Sequence, residues 1–197
     1  MTVRESCVQR KTNETDIAVN LVLDGEGRCK METGIGFFDH MLNAFGRHGL
    51  FDLDVTAKGD LEVDGHHTVE DVGIVIGRAF REAIGDKRGI NRFGTSFVPM
   101  DEALVLASLD ISGRGQAHVV LDLPFGMVGG FDTQLAREFF IALATNAGIT
   151  LHVRQIAGDN AHHIIEAAFT AVGRALCEAC SYNPRLGGAV PSTKGSL

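Results

Sequence analysis

Residues 16–23 (DIAVNLVL) alternate apolar and polar positions and stop at Asp24-Gly25. That is the pattern of a half-buried strand running into a tight turn. Residues 28–33 read as the return strand, and 38–47 (FDHMLNAFGR) carry apolar side chains at helical spacing. Residues 50–57 (LFDLDVTA) alternate strictly, as a strand with one wet face does. Residues 66–84 place Val69, Val72, Val75, Ile76 and Phe80 on one helical face and end at Gly85. The first half therefore reads β-β-α-β-α.

The second half gives the same order. Residues 102–110 (EALVLASLD) and 116–123 (QAHVVLDL) read as strands joined through Ser112-Gly113-Arg114-Gly115. A helix over 133–146, a strand over 149–155 and a long helix over 160–180 follow. The repetition extends to individual residues. His66-His67-Thr68-Val69-Glu70 recurs as His162-His163-Ile164-Ile165-Glu166, and Gly77-Arg78-Ala79 as Gly173-Arg174-Ala175, both at an offset of 96. Leu53-Asp54-Val55 and Leu151-His152-Val153 stand 98 apart. The two-residue change falls just before each histidine pair, where a loop absorbs it. The expectation is an α+β fold with internally duplicated β-β-α-β-α halves, each a small mixed sheet with helices on one face. The half-repeats would be 1–90 and 91–182, and residues 183–197 form a Pro/Gly/Ser tail containing Pro191-Ser192-Thr193-Lys194-Gly195.

Composition then narrows the class. The chain has 197 residues, 18 Lys plus Arg against 25 Asp plus Glu, and a net charge of −7. Such a balance is poor for binding nucleic acid or anionic membranes by bulk charge. With no Trp and one Tyr there is little to stack on single-stranded bases. No apolar run approaches the roughly 20 residues needed to span a bilayer. The N-terminus lacks the apolar stretch of a secretory signal, and four cysteines are too few for a disulfide scaffold. These readings leave a soluble cytoplasmic protein with no nucleic-acid or membrane partner. Any phosphate it binds must be held by a few local cations.

The unusual residue is histidine, with eight copies that are not scattered. In a helix, residues three and four apart share a face. Glu70 stands four after His66 and three after His67, and Glu166 stands the same way to His162 and His163. Imidazole nitrogen with carboxylate oxygen suits Mn, Fe, Zn or Ni. One His-His pair is ordinarily a surface or capping feature, but packing gives no reason to repeat His-His-Glu. Carrying the 98-residue offset from His40 lands on Glu138, a further ligand type in each half. The set His40, His66, His67, Glu70, Glu138, His162, His163 and Glu166 suits two metals with four protein ligands each. His48, His118 and His152 have no such support. Cys177-x-x-Cys180 reads as small apolar packing, and Gly34-Ile35-Gly36 lacks the third glycine of a dinucleotide loop. Arg92, Arg114, Ser192 and Lys194 lie beside glycines or in the tail and are available to an anion; as isolated residues they read as solvated surface.

Three motifs carry a resemblance: Phe37-Phe38-Asp39-His40-Met41-Leu42, Asp64-Gly65-His66-His67-Thr68-Val69-Glu70-Asp71 and Asn160-Ala161-His162-His163-Ile164-Ile165-Glu166-Ala167. With Arg10-Lys11-Thr12-Asn13-Glu14-Thr15 near the start and Pro191 to Gly195 near the end, the chain resembles the imidazoleglycerol-phosphate dehydratases of histidine biosynthesis over nearly its whole length. The resemblance implies a 24-subunit shell built from trimers, with active sites between subunits. Each site would hold two Mn2+ ions on the eight ligands named above. Arg92, Arg114, Ser192 and Lys194, with Glu14, would bind the phosphorylated imidazole substrate, the tail contributing to the phosphate site. Glu138 stands where many members have His, which is expected to alter charge and affinity while keeping the site. Thr170 stands where members usually carry Lys, removing one polar contact.

The implied reaction is dehydration of D-erythro-imidazole glycerol phosphate to imidazole acetol phosphate. The hydrogen to be lost is not acidic, so base-first elimination has no anion sink. A metal-bound imidazolate could expel hydroxide instead, giving a diazafulvene-like intermediate whose neighbouring C–H is acidic. Glu14 and Glu166 are the candidate proton carriers, and with Glu70 and His67 they complete the catalytic set. No redox cofactor or nucleotide is required. Two other readings stay open at this point: a dinuclear phosphoester hydrolase, and a shell protein whose metals only join subunits.

Overall fold

The computed structural model describes residues 3–195. Residues 1, 2, 196 and 197, the outer ends of the segments 1–90 and 183–197, lie outside the described residues. The elements run β1 (Glu5–Lys11), β2 (Thr15–Val22), β3 (Cys29–Glu32), α1 (Gly36–Gly49), β4 (Asp52–Gly59), α2 (His66–Ile84), β5 (Phe93–Met100), β6 (Ala103–Asp110), β7 (Gln116–Val120), β8 (Met127–Val128), β9 (Phe131–Asp132), α3 (Leu135–Ala147), β10 (Thr150–Ala157) and α4 (Ala161–Cys180). Two mixed four-stranded sheets share one topology, β1-β2-β4-β3 and β5-β6-β10-β7. In each, three strands are antiparallel and the last runs parallel to its neighbour. This is the duplicated α+β architecture that the pattern implies.

Two features differ from the sequence reading. Each half opens with a strand that hydrophobic alternation does not reveal. β1 buries nothing fully, so its ESCVQRK pattern looks like surface. β5 points Gly94, Ser96 and Val98 inward and leaves Phe93 and Phe97 exposed. The small inward residues are required, because a Cβ on Gly94 would lie 1.9 Å from the Ala175 carbonyl oxygen on α4. The second difference concerns pairing. Residues 28–33 are not a return strand, since β2 is flanked by β1 and β4, and β3 lies parallel to β4 with Cys29 opposite Leu53. β7 likewise pairs with β10, Ala117 opposite Leu151, and stops at Val120 rather than 123. Alternation identifies a strand and its buried face but not its partner.

α1 and α2 cover the first sheet, and α3 and α4 cover the second. α2 packs on α3 and α1 on α4, so the helices form the interior with a sheet on either side. Phe38, Phe139, Phe140 and Phe169 meet there, with Phe139 and Phe169 stacked at 4.8 Å. Repeat-equivalent glycines set the helix approach. A Cβ on Gly77 would meet the Leu143 carbonyl oxygen at 2.7 Å, and one on Gly173 the Phe45 carbonyl oxygen at 2.3 Å. Gly173→Val therefore forces α4 away from α1 and is expected to cost about 3 kcal/mol, as overpacked cores do. Urea denaturation checks this; an unchanged midpoint would show that the helices part freely.

The halves are not identical in length. Their offset is 88 at Cys29 and Ala117 but 98 at Leu53 and Leu151. The ten added residues fall between β7 and α3, the segment that forms the β8–β9 hairpin. Its Phe131 is fully buried against Phe37 and Phe38 of α1.

Candidate functional site

Both histidine pairs sit in the first turn of a helix. Asn160 caps α4, its side chain accepting from the backbone N–H groups of His162 (2.9 Å) and His163 (3.4 Å). Before α2, Asp64 accepts from His66 N–H at 2.7 Å. These caps satisfy N–H groups left open at a helix start. Successive helical residues leave the axis about 100° apart, so the two histidines of each pair diverge. The His66 and His67 rings are 6.2 Å apart at 90°, and those of His162 and His163 are 6.1 Å apart at 78°.

One member of the second pair joins a cluster. Because α1 packs on α4, His40 reaches Glu166. His40 Nε2 lies 3.2 Å and His162 Nε2 3.1 Å from the same oxygen, Glu166 Oε2. Among the described residues, His40, His162 and Glu166 are the three that bring metal-type ligand atoms within 4.8 Å of one another. Phe37 packs on His162 at 5.0 Å and fixes the ring. Two imidazoles and a carboxylate are a fitting donor set for a borderline or hard divalent ion.

The repeat-equivalent residues Glu138, His66 and Glu70 do not form a second such group among the described residues. α3 packs on α2 and brings Glu138 to the cleft that His66 also lines, about 630 Å³ in volume. His66 Nε2 is 4.0 Å from Glu70 Oε2. Asp64, Met127 and Leu135 contribute to the walls, so the ten-residue insertion helps to build this cleft.

His67 and His163 turn elsewhere. His67 Nδ1 lies 3.0 Å from Asp60 Oδ2, and His163 Nδ1 lies 2.8 Å from Glu102 Oε2. The Asp60 hydrogen bond pushes the His67 pKa up, and Glu102 does the same for His163. Glu102 is in turn held down, to about 2, by its hydrogen bond to His163. A carboxylate on Nδ1 leaves Nε2 outward, the arrangement that orients a ligand imidazole. Those outward nitrogens face Glu14 at 3.9 Å and Asp101 at 3.8 Å. Glu14 is held in the β1–β2 turn by Thr12, whose hydroxyl accepts from Glu14 N–H (3.1 Å) and Thr15 N–H (3.0 Å). The Thr15 hydroxyl donates to Asp71 on α2 at 2.5 Å, and Arg10 pairs with the same carboxylate.

Asp60 and Glu102 are absent from the sequence-derived set. A signal for Glu102 existed: it lies 88 residues after Glu14, the offset of the β1 and β5 strands. Without those strands, that offset had nothing to anchor it.

Of the anion candidates, Arg92 and Arg114 converge on Asp110, at 2.7 Å and 4.0 Å. Arg92 also donates to the Pro191 carbonyl at 2.8 Å, which brings the tail alongside. Ser192 and Lys194 follow, the Ser192 hydroxyl accepting from Lys194 N–H at 3.2 Å. Thr170 lies on α4 and is buried. Cys180 is buried too, its thiol pushed up to about 12 by burial, in keeping with a packing role. His118 and His152 stack on each other at 4.5 Å on the outer face of the second sheet, away from the ligand set.

A family profile described as imidazoleglycerol-phosphate dehydratase matches residues 33–176. A curated relative of that name from Desulforamulus reducens is 57% identical over 194 residues, covering 98% of each chain. Another, from Caldanaerobacter subterraneus subsp. tengcongensis, is 60% identical over 195 residues, covering 99% of this chain and all of the relative. Among solved structures, the enzyme from Pyrococcus furiosus in complex with (S)-C348 superposes with a TM-score of 0.83 at 40% identity, over 96% of this chain and all of that one.

Proposed function

The chain belongs to the imidazoleglycerol-phosphate dehydratase family, hydro-lyases of histidine biosynthesis, and from that premise we propose a manganese-dependent dehydration of D-erythro-imidazole glycerol phosphate to imidazole acetol phosphate in the cytoplasm. The observation that carries the metal reading is the convergence of His40, His162 and Glu166 on one point. That donor set suits Mn2+. The second ion would be held from the half-repeat equivalents His66, Glu70 and Glu138. His67 and His163 complete the two sets with their outward Nε2 atoms. When bound, the ions supply Lewis acidity toward the substrate imidazole nitrogens and stabilise negative charge there.

Within one chain His67 and His163 stay outside the His40–His162–Glu166 group, and no second group forms among the described residues. The reading is therefore that complete four-ligand sites form between copies, in a 24-mer built from trimers. Phe93 (58%) and Phe97 (60%) stand exposed on the same face of β5, apolar surface that self-association would cover. We read residues 1–90 and 91–182 as the half-repeats, and 183–197 as the segment that adds Ser192 and Lys194 to a phosphate site with Arg92 and Arg114.

Proton transfer is assigned to Glu14. One oxygen of Glu166 is already shared by two imidazoles at 3.2 and 3.1 Å, which commits it as a ligand. Glu14 is about half exposed at the rim beside His67. There it can take the substrate C–H proton after the neighbouring hydroxide leaves, and return it when the enol becomes the ketone. Thr170 offers no ammonium group to that chemistry.

The test is product analysis with imidazole glycerol phosphate and Mn2+. The ketone should form with no inorganic phosphate. Phosphate release would favour a dinuclear phosphoester hydrolase, and no turnover by metal-loaded protein would reject the assignment.

A further inference from the structure

We propose that Asp110 is the positioning residue of the phosphate clamp. It fixes the Arg92 guanidinium and, through Arg92, the tail that carries Ser192 and Lys194. The inference rests on the reading of Arg92, Arg114, Ser192 and Lys194 as the phosphate site.

The internal duplication supplies a comparison within the molecule. Arg4 and Arg92 occupy equivalent positions, 88 residues apart. The Arg4 carbonyl accepts from Leu23 N–H at 2.9 Å, and the Arg92 carbonyl from Ile111 N–H at 3.0 Å. Both guanidiniums fork onto an aspartate. Arg4 reaches Asp24 at 2.8 and 2.5 Å, and Arg92 reaches Asp110 at 2.7 and 3.1 Å. From there the two halves diverge.

Arg4 is a sealed structural pair. Its side chain is 8% exposed, its third donor goes to the Cys180 carbonyl, and it lies over the Tyr182 ring. Arg92 also lies over a ring, Phe93, but it is 16% exposed and its third donor goes to Pro191 in the tail. Its aspartate comes from another position. Asp110 ends β6 where the first half has Val22, 88 residues earlier. At that position it also faces Arg114, at 4.0 Å. The carboxylate is thus not at the position used by the Arg4–Asp24 pair; it accepts from Arg92 and stands within ion-pair range of Arg114.

Donor counting shows what this leaves. A guanidinium has five N–H donors. Arg92 commits two to Asp110 and one to Pro191. The remaining two have no hydrogen-bond partner among the described residues, which leaves them to an incoming anion in this proposal. Its backbone is fixed as well, in the left-handed region at φ 74° with its N–H on the Ala179 carbonyl. A two-point fork sets the plane of the guanidinium as one hydrogen bond cannot. A group oriented before the ligand arrives saves ordering cost on binding. Asp110 itself touches no substrate in this account and acts only through Arg92, Arg114 and the tail.

The test uses the full-length, manganese-loaded assembly and Asp110→Asn, which keeps shape and removes charge. KM for the substrate should rise ten- to a hundredfold while kcat falls no more than about threefold. The inhibition constant of inorganic phosphate should rise by the same factor as KM, and Asp110→Glu should recover part of both. A merely structural role would lower melting temperature and kcat together and leave phosphate inhibition unmoved; that result overturns the proposal. Tighter phosphate binding by Asp110→Asn also overturns it, because Asp110 would then only compete with the anion for the arginines. Arg92→Ala and Lys194→Ala separate the two levels. If they weaken phosphate inhibition and Asp110→Asn does not, the positioning role alone fails. If neither moves it, the phosphate-site reading fails and the proposal with it.

Discussion

Glu166→Gln is expected to lower kcat/KM by about a thousandfold and to strip metal from the protein. One oxygen of Glu166 sits within 3.2 Å of both His40 and His162 nitrogens, so the carboxylate is the centre of the cluster. Glutamine keeps the shape but replaces an anionic ligand with a weak neutral one, and the metal loses its charge partner. Glu14→Gln gives the contrast. Proton transfer by a placed carboxylate is worth about a hundred- to ten-thousandfold, so turnover should fall comparably while the metal stays. Kinetics paired with metal analysis by plasma mass spectrometry separate the two roles. A Glu166→Gln protein with full metal and near-normal turnover would remove Glu166 from the ligand set. A Glu14→Gln protein that loses metal would make Glu14 a ligand instead.

On the proposed assembly, thorough chelation should shrink a 24-mer to trimers and take activity to background. Each His-His pair splits its rings at nearly right angles, and of the second pair only His162 joins His40 and Glu166 in its own chain. If the other member serves a neighbour, each ion joins subunits, and its removal withdraws binding energy from the contact. Light scattering before and after chelation reads the mass, and added Mn2+ should restore both size and turnover. Unchanged mass with metal demonstrably gone would place each complete site within one chain.

Much of this was legible in the residues. The helices over 66–84 and 160–180 announce themselves because each buries a continuous apolar stripe. The repeat of His-His-Glu and the offset from His40 to Glu138 single out His40, His162 and Glu166, which the fold brings together, whereas Glu138 and His66 only share a cleft. β1 and β5 were hidden for opposite reasons: β1 has little to bury, and β5 carries small residues inward because α4 presses against Gly94. That loss propagated. Without those strands the 88-residue offset stays unseen, and with it the kinship of Glu14 with Glu102 and of Arg4 with Arg92. Strand partnership was not legible either. The alternation in 28–33 is the same whether its neighbour is β2 or β4, and only closure of the sheet around β4 decides it.

The most direct measurement is turnover of imidazole glycerol phosphate by metal-free protein titrated with Mn2+. No product is expected at zero metal, then a rise that saturates at two ions per chain, with ketone as the sole product. Full turnover in protein shown to be metal-free, or none at any manganese concentration, would contradict this.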